Sequence, residues 1–450
     1  MRDRCPVLDW AASGAMALTG MPDGVPVASP APALAMLGQV TAEFARVTAE
    51  TGRQVRADPA ELITGRAALA GLTRGGRISA GGSSFLLRSA DGWCAVTLSR
   101  PDDVAAVPAI VGPLGWDGAS LDRIMTRARA RTALTAAALG TPSEDFAAAA
   151  QLVGVPAAAL PATAPPPVSS EISLTETAGW PPWRAGRIAA PLAGARLSGA
   201  LIADLSSMWA GPLCARLLGL AGAEVIKVES PVRPDGARSG NREFFNWLHA
   251  GHRSLSADFS SKAGRTILAA LLEAADVVIE ASRPRALAGL GLAPDMVPHR
   301  PGQVWLSISG YGRTMPDRVA FGDDAAVAGG LVGWTAGVSP PKPVFCADAI
   351  ADPLTGVCGA LAVARSRSAG GGELIDLSMR EVAAAFTAAP DHGPHVVRGG
   401  SVACPRWHQE QAIRLPRRPV PPAGTAEHAP ELGADTSSVL AWLSGQHAAC

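Results

Sequence analysis

The residue in this sequence best suited to covalent chemistry is Asp352, which stands in Ala351-Asp352-Pro353-Leu354-Thr355-Gly356. Asp followed by Pro, an apolar run from Val357 to Ala364 and then Gly370 is the pattern of a helix N-cap, an N1 proline and a terminating glycine. On local pattern alone, Asp352 is a cap. The same position also suits a nucleophile. Free backbone N–H groups and the positive end of the helix dipole favour the ionised carboxylate, and an aspartate held as the anion can attack an acyl group to form a covalent intermediate.

The elements that must position Asp352 are legible in the pattern around it. Leu201-Ile-Ala-Asp-Leu205 and Ala223-Glu-Val-Ile-Lys-Val-Glu229 read as short buried strands flanking a helix over Pro212 to Leu220, as a βαβ unit requires. Lys262 to Ala275 has helical periodicity, Asp276 to Glu280 reads as a strand, and Val304 to Gly310 as another. Strands alternating with helices predict a Rossmann-like α/β core with a parallel sheet over 195–390. A smaller α+β domain is expected over 1–160, with a strand at Trp93 to Leu98 and a Gly-rich stretch at Gly75, Gly76, Gly81 and Gly82. Between them, 161–194 is rich in Pro, including Pro161, Pro165, Pro166, Pro167, Pro181 and Pro182, and reads as a semi-extended linker. The tail, 391–450, is expected to drape over a surface, ending in a short helix at Ser437 to Leu443. Trp10 to Ala35 can also be laid without gaps on Val327 to Asp352, a faint internal repeat in which Ala35 takes the place of the aspartate.

Composition narrows the function classes. The 450 residues suggest two or three domains. Hydrophobic residues make up 48%, yet Gly, Pro and charged residues interrupt every apolar run, so no transmembrane helix is expected. Lys+Arg and Asp+Glu number 39 each, which gives no overall basic field for nucleic acid or acidic lipid. The first residues do not read as a secretory signal, and a cytoplasmic location is the expectation. The 7 cysteines are scattered without C-x-x-C spacing, which points to neither a disulfide framework nor a zinc site. No G-x-G-x-x-G follows the strand at Leu201 and no P-loop occurs, which argues against NAD or ATP chemistry.

Residues 200 to 380 resemble the α/β core of the family III CoA-transferases, the group that includes formyl-CoA and carnitine CoA-transferases. The resemblance rests on Asp204-Leu-Ser, Ala210-Gly211-Pro212, Gly222 to Glu229, Asp235-x-x-Arg238, Arg253-Ser254, Asp258, Ala275 to Glu280, Arg283-Pro284, Ser307 to Gly310, Asp352-x-x-Thr355-Gly356 and Gly371 to Ser378, in the family's order. It implies that Asp352 attacks an acyl-CoA thioester, that CoA thiolate returns to give an aspartyl-CoA thioester, and that a carboxylate acceptor then takes the CoA. No metal and no permanently bound cofactor is implied; CoA is a substrate. Backbone N–H groups beside Gly356 and at Ala210 and Gly211 become candidate oxyanion donors, though Gly211-Pro212 is equally a plain helix start. Trp209, Arg238, Arg253 and Arg283 become candidate CoA contacts, with Arg233 a weaker one. An isolated surface arginine is more often merely solvated.

Departures from the family pattern are also visible. Ser230-Pro231 and Gly289 stand where basic residues are common, and Phe321-Gly322-Asp323 replaces Gly-Tyr-Asp. Gly322 removes the place of the histidine base used by the related acyl-CoA racemases, so transfer is favoured over racemisation. His249 and His252 read as exposed or structural. Asp91-Gly92-Trp93 and Gly154-Val155-Pro156 resemble the family's small domain, which here precedes the core, and His428 to Thr436 resembles its final tail. A circular rearrangement or a cut tandem fusion is expected, together with an interlocked homodimer. The alternative is a degenerate relative that binds acyl-CoA or a partner subunit without turnover.

Overall fold

The computed structural model describes residues 5–28, 31–115, 125–162, 167–168, 179–335, 339–390, 392–421, 424 and 426–448. A seven-stranded sheet runs through it in the spatial order Trp183–Arg187, Glu373–Ser378, Val304–Ser309, Val277–Glu280, Leu201–Asp204, Glu224–Glu229, Arg253–Ser256. Every neighbouring pair is parallel except the outermost, where Trp183–Arg187 runs antiparallel to Glu373–Ser378. Trp183–Arg187 lies inside the segment expected to be linker; Pro165 and Pro166 of that segment fall outside the described residues. From Leu201–Asp204 the chain builds outward to one side, then returns to Val277–Glu280 and builds to the other. The order therefore reverses between these two strands, the position beyond whose carboxyl ends open α/β sheets generally take their ligands.

Side chains leave the strands alternately, so one strand feeds two cores. Ile202, Val277, Ile279, Leu306 and Ile308 face the helices Ala210–Leu220 and Ala351–Ser368, whereas Leu201, Ala203, Val278 and Trp305 face Lys262–Ala274 and the tail helix. Both faces are thus covered, and the central strands Leu201–Asp204, Val277–Glu280 and Val304–Ser309 are mostly apolar. The helix Ala351–Ser368 is buried on nearly every side, because a second helix, Pro32–Thr51, covers what the sheet leaves open. Gly356 and Gly359 make this packing close: a Cβ on Gly356 would come within 2.7 Å of the Ala210 carbonyl oxygen, and one on Gly359 within 3.1 Å of Leu306.

The apolar residues from Cys5 to Ile63 belong to the same cluster as the α/β region. A separate cluster, from Phe85 to Ala157, surrounds the antiparallel sheet of Ser84–Arg88, Trp93–Thr97 and Ala157–Ala159. The two segments aligned as a faint repeat touch each other, with the Ala347 amide donating to Thr19 Oγ1 at 3.0 Å. The tail does more than drape. Val396–Arg398, Ser401–Cys404 and Gln409–Ala412 form a three-stranded sheet whose Val402 and Cys404 are buried in the main core. The last helix, Thr436–Ala448, starts one residue earlier and ends later than expected. No helix among the described residues is long and apolar enough to cross a membrane.

Candidate functional site

The helix Ala351–Ser368 leads back into Glu373–Ser378, so its amino end lies at the carboxyl ends of the parallel strands. Asp352 is its second residue, not its N-cap. Ile350 holds the cap position, without a side-chain hydrogen bond, and the Asp352 amide bonds to the Ala349 carbonyl at 2.9 Å. The helix starts two residues earlier than the Asp-Pro pattern suggests because the preceding turn is held from outside. Ala347 and Ala349 sit at φ 52° and 42°, a region costly for alanine. Thr19 Oγ1 and Asp323 Oδ1 accept from their two amides, at 3.0 and 3.1 Å. Asp352 as a whole residue is half-buried, and its carboxyl is left free of the capping role.

Four aspartates gather here, three of them, Asp323, Asp348 and Asp352, acting on one cation, Arg66. Asp323 and Asp324 open the helix Gly322–Ala328, with Asp324 accepting from the Phe321 amide at 3.0 Å and from Thr97 Oγ1 at 2.8 Å. Ser84 Oγ donates to Asp323 at 2.9 Å. Arg66, from the helix Pro59–Ala70, donates to Asp348 Oδ1 at 2.6 Å. Burial pushes the Asp352 carboxyl up to about 8; Arg66 opposes this, and Asp323, Asp348 and Asp324 add to it. Asp324 is raised to about 7 and Asp348 to about 6, each mainly by burial. The expectation that the helix start holds Asp352 ionised is therefore corrected: removal from water and like charge outweigh the dipole. Burial disfavours the Arg66 charge, but Asp348, Asp323 and Asp352 outweigh that and keep it firmly protonated. Arg66 also lies over the rings of Trp209 and Phe244, at 5.4 and 5.6 Å. It had no motif to mark it; its only sequence signal is an arginine on an otherwise small-residue helix.

Gly322 has a steric reason to be glycine. A Cβ there would fall 2.3 Å from Asp352 Oδ2 and 2.4 Å from the Ala349 carbonyl oxygen. No side chain, basic or aromatic, fits between this backbone and the carboxylate. The sole tyrosine, Tyr311, is buried, its hydroxyl 3.3 Å from the Ala157 carbonyl oxygen.

Ala210 and Gly211 are the first two residues of the helix Ala210–Leu220, so their amides have no partner within it. Gly211 is required by Ser206, whose Cβ and Oγ would lie 2.2 Å from an added Cβ. Gly356 is different. As the sixth residue of its helix it lies past the first turn, where amides bond within the helix, and its role is to let that helix meet Ala210. Asp352 lies one turn before Gly356 on the same face, toward the start of Ala210–Leu220. Trp209 is 3% exposed and packs edge-on against Phe244.

The expected CoA arginines fall in three different surroundings. Arg238 is bound to Glu229 at 2.6 Å and to the Pro430 carbonyl oxygen at 3.1 Å, over the Phe245 ring at 4.5 Å. Arg253 begins its strand, at the amino-terminal edge of the sheet, and pairs with Glu224 at 2.6 Å. That edge is the one opposite Asp352. Arg283 does lie at the carboxyl edge, just beyond Val277–Glu280. With Arg100 and Arg285 it lines a cleft of about 640 Å³ that also includes Gly154 and Asp317. Gly154, at φ 76°, lets the Arg283 guanidinium approach: an added Cβ would stand 3.3 Å from Nη2. Burial, then Arg285, Arg100 and Arg233, lower the pKa of Arg283; Asp102 and Asp103 also line the cleft, where Arg100 pairs with Asp103 at 2.7 Å and Arg285 with Asp317 at 3.5 Å. The exposed Arg233 is thus near this group. His249 is buried rather than exposed, tilted against Phe245 at 4.4 Å and edge-on to His252 at 5.6 Å.

The cysteines change meaning in three dimensions: Cys5 and Cys404 meet His392 and His395 in one cluster.

Comparison with known proteins agrees with the resemblance. Residues 197–414 match the family model described as CoA-transferase family III. The chain is 32% identical over 206 residues to a succinyl-CoA–L-malate CoA-transferase beta subunit from Chloroflexus aurantiacus, covering 42% of this chain and 49% of that protein. It is 32% identical over 201 residues to (R)-2-hydroxy-4-methylpentanoate CoA-transferase from Clostridioides difficile, covering 41% of this chain and 50% of that one. The chain thus spans about half the length of these relatives. A solved CAIB/BAIF family protein from Brucella suis aligns at 28% identity with a TM-score of 0.38, over 43% of this chain and 55% of that chain. The matched segment contains six of the seven strands of the main sheet, both glycine-built helix contacts and Asp352, and over this segment the chain is similar to CoA-transferase family III.

Proposed function

We propose that this protein transfers CoA from an acyl-CoA thioester to a carboxylate acceptor through a covalent intermediate on Asp352. The observation that carries the reading is Asp352 at the carboxyl edge of the sheet, one helical turn before Gly356, which packs on the first residue of the helix Ala210–Leu220. The ionised oxygen adds to the thioester carbonyl, and collapse expels CoA thiolate and leaves a mixed anhydride. Thiolate then attacks the Asp352 carbonyl and releases the first acid, giving an aspartyl-CoA thioester. The acceptor carboxylate attacks that thioester, thiolate leaves again, and its return to the acceptor's carbonyl of the new anhydride restores Asp352. Each step exchanges like for like, so positioning and oxyanion donors supply most of what is needed. Arg283, with Arg100 and Arg285, is the proposed grip on CoA phosphates; Arg238 and Arg253 serve the fold in this reading.

The strand order, reversing beside Leu201–Asp204, supports a Rossmann-like core. Ser84 and Thr97 reach Asp323 and Asp324 within the same chain, which supports reading the segment before the core as the family's small domain in rearranged order. The interlocked homodimer remains part of the proposal on the resemblance alone.

Trapping the adduct tests the reading. Incubation with a panel of acyl-CoAs, then hydroxylamine or borohydride, should place the modification on the peptide containing Asp352. An adduct on another residue, or turnover without any adduct, overturns it. A second reading, binding of acyl-CoA without turnover, is favoured by the raised pKa of Asp352; calorimetric CoA binding with no exchange at pH 9 would select it.

A further inference from the structure

Cys5 and the pair His392 and His395 are nearly the whole chain apart in sequence, yet their side chains touch. Cys5 Sγ stands 3.1 Å from His395 Nε2 and 3.4 Å from His392 Nε2, and His392 Nε2 is 3.2 Å from Cys404 Sγ. The four ligand atoms all lie within 4.8 Å of one another. A tetrahedral ion with metal–sulfur bonds near 2.3 Å and metal–nitrogen bonds near 2.0 Å sets ligand atoms about 3.4–3.8 Å apart. The observed spacings are close to that range, so small movements suffice. Both sulfurs are buried and both imidazoles partly so.

The donor set is selective. Two thiols and two imidazoles, with no carboxylate, suit Zn²⁺ rather than Mg²⁺ or Ca²⁺. Each ligand is fixed by an element: Cys5 precedes the helix Pro6–Ser13, the two histidines flank the entry to Val396–Arg398, and Cys404 ends Ser401–Cys404. The Arg414 amide meets the Ala11 carbonyl at 2.9 Å beside them, closing the tail onto the same helix.

We propose that Cys5, His392, His395 and Cys404 form a tetrahedral zinc site that fastens the first helix to the C-terminal three-stranded sheet. Four protein ligands leave no open position, so the ion is structural and takes no part in acyl transfer.

The full chain, purified under reducing conditions and supplied with zinc, is expected to retain one equivalent of Zn²⁺ by mass-spectrometric metal analysis. Replacement by Co²⁺ should give the strong visible bands of a tetrahedral ion and the charge-transfer absorption of two thiolates. Chelation should lower the Tm of the wild type and leave that of Cys404→Ser unchanged, while His408→Ala, at an exposed neighbouring histidine, keeps the cobalt spectrum. Metal content well below one equivalent with no cobalt bands overturns the proposal. So does a Cys5–Cys404 disulfide in non-reducing peptide maps, or a metal signal that persists in the His395→Ala/Cys404→Ser double variant. The wild-type cobalt spectrum decides the matter even if every ligand variant fails to fold.

Discussion

Two buried groups of charges lie near one another in this protein, and they are built on opposite rules. Around Lys227, 1% exposed, Asp235 lies at 3.0 Å and Asp204 at 3.8 Å, while Glu229 holds Arg238. Burial opposes the Lys227 charge, but Asp204 and Asp235 outweigh it and raise its pKa; burial raises Asp235, but Lys227 prevails and lowers it. The farther Asp204 is raised by burial despite Lys227, consistent with its longer distance. Ser206, Met208 and Ala237 contribute N–H groups to these carboxylates. Around Asp352, by contrast, three carboxyls, Asp323, Asp348 and Asp352, share Arg66 with Asp324 beside them, and all four pKa values rise together. The first group is a balanced lattice that fixes the loops above the sheet. The second is left electrostatically unsatisfied, as groups with chemistry to perform often are.

Asp352→Ala makes the widest separation. Transfer activity should fall on the order of 10⁴-fold, while urea unfolding shows stability unchanged or increased, since a desolvated acid is lost. A large loss of stability would mean that Asp352 belongs to the balanced kind. Lys227→Met should do the reverse, costing about 3–5 kcal/mol because it strands buried carboxylates; denaturant titration measures it. Next comes pH. With Asp352 near 8, initial transfer rates should climb as pH rises through 8 and level above it. Arg66→Met should move that midpoint up by about one unit, a roughly tenfold loss at pH 7. An unmoved midpoint would remove Arg66 from the site. Stability runs the other way. These carboxyls ionise at higher pH folded than unfolded, so their favourable contribution is complete below pH 4 and is lost as pH rises through 6 to 8. The smallest effect belongs to Asp324→Asn, which keeps the acceptor for Phe321 and should lower the Asp352 midpoint by a fraction of a unit, seen in the same rate profiles.

The strands at Leu201, Glu224, Val277 and Val304 were legible to within a residue or two, because fully buried parallel strands write short apolar runs. Trp183–Arg187 was hidden by its exposed, arginine-containing sequence, which suits an outer strand and reads as linker. For the site, the Asp-Pro pattern found the right helix but the wrong role at its start, since the capping turn is set by Thr19 and Asp323 from distant segments. Of the family landmarks here, Arg238 was read toward CoA, yet it is held by Glu229, while Lys227 lies between Asp204 and Asp235. Arg66 and Arg100 could not be chosen from sequence: each gains its meaning from a fold contact, with Asp348 in one case and the Arg283 cleft in the other. The Cys and His cluster left only the spacing of His392 and His395 as a trace.

The helix Pro32–Thr51, lying along Ala351–Ser368, bears on how the molecule can be divided. A fragment cut to 197–414, the span that carries the family likeness, would keep the nucleophile and discard its counter-charge Arg66, the cover over its helix, and Cys5. Such a fragment should expose an apolar flank and aggregate. Sequence kinship and the unit of folding have different borders here.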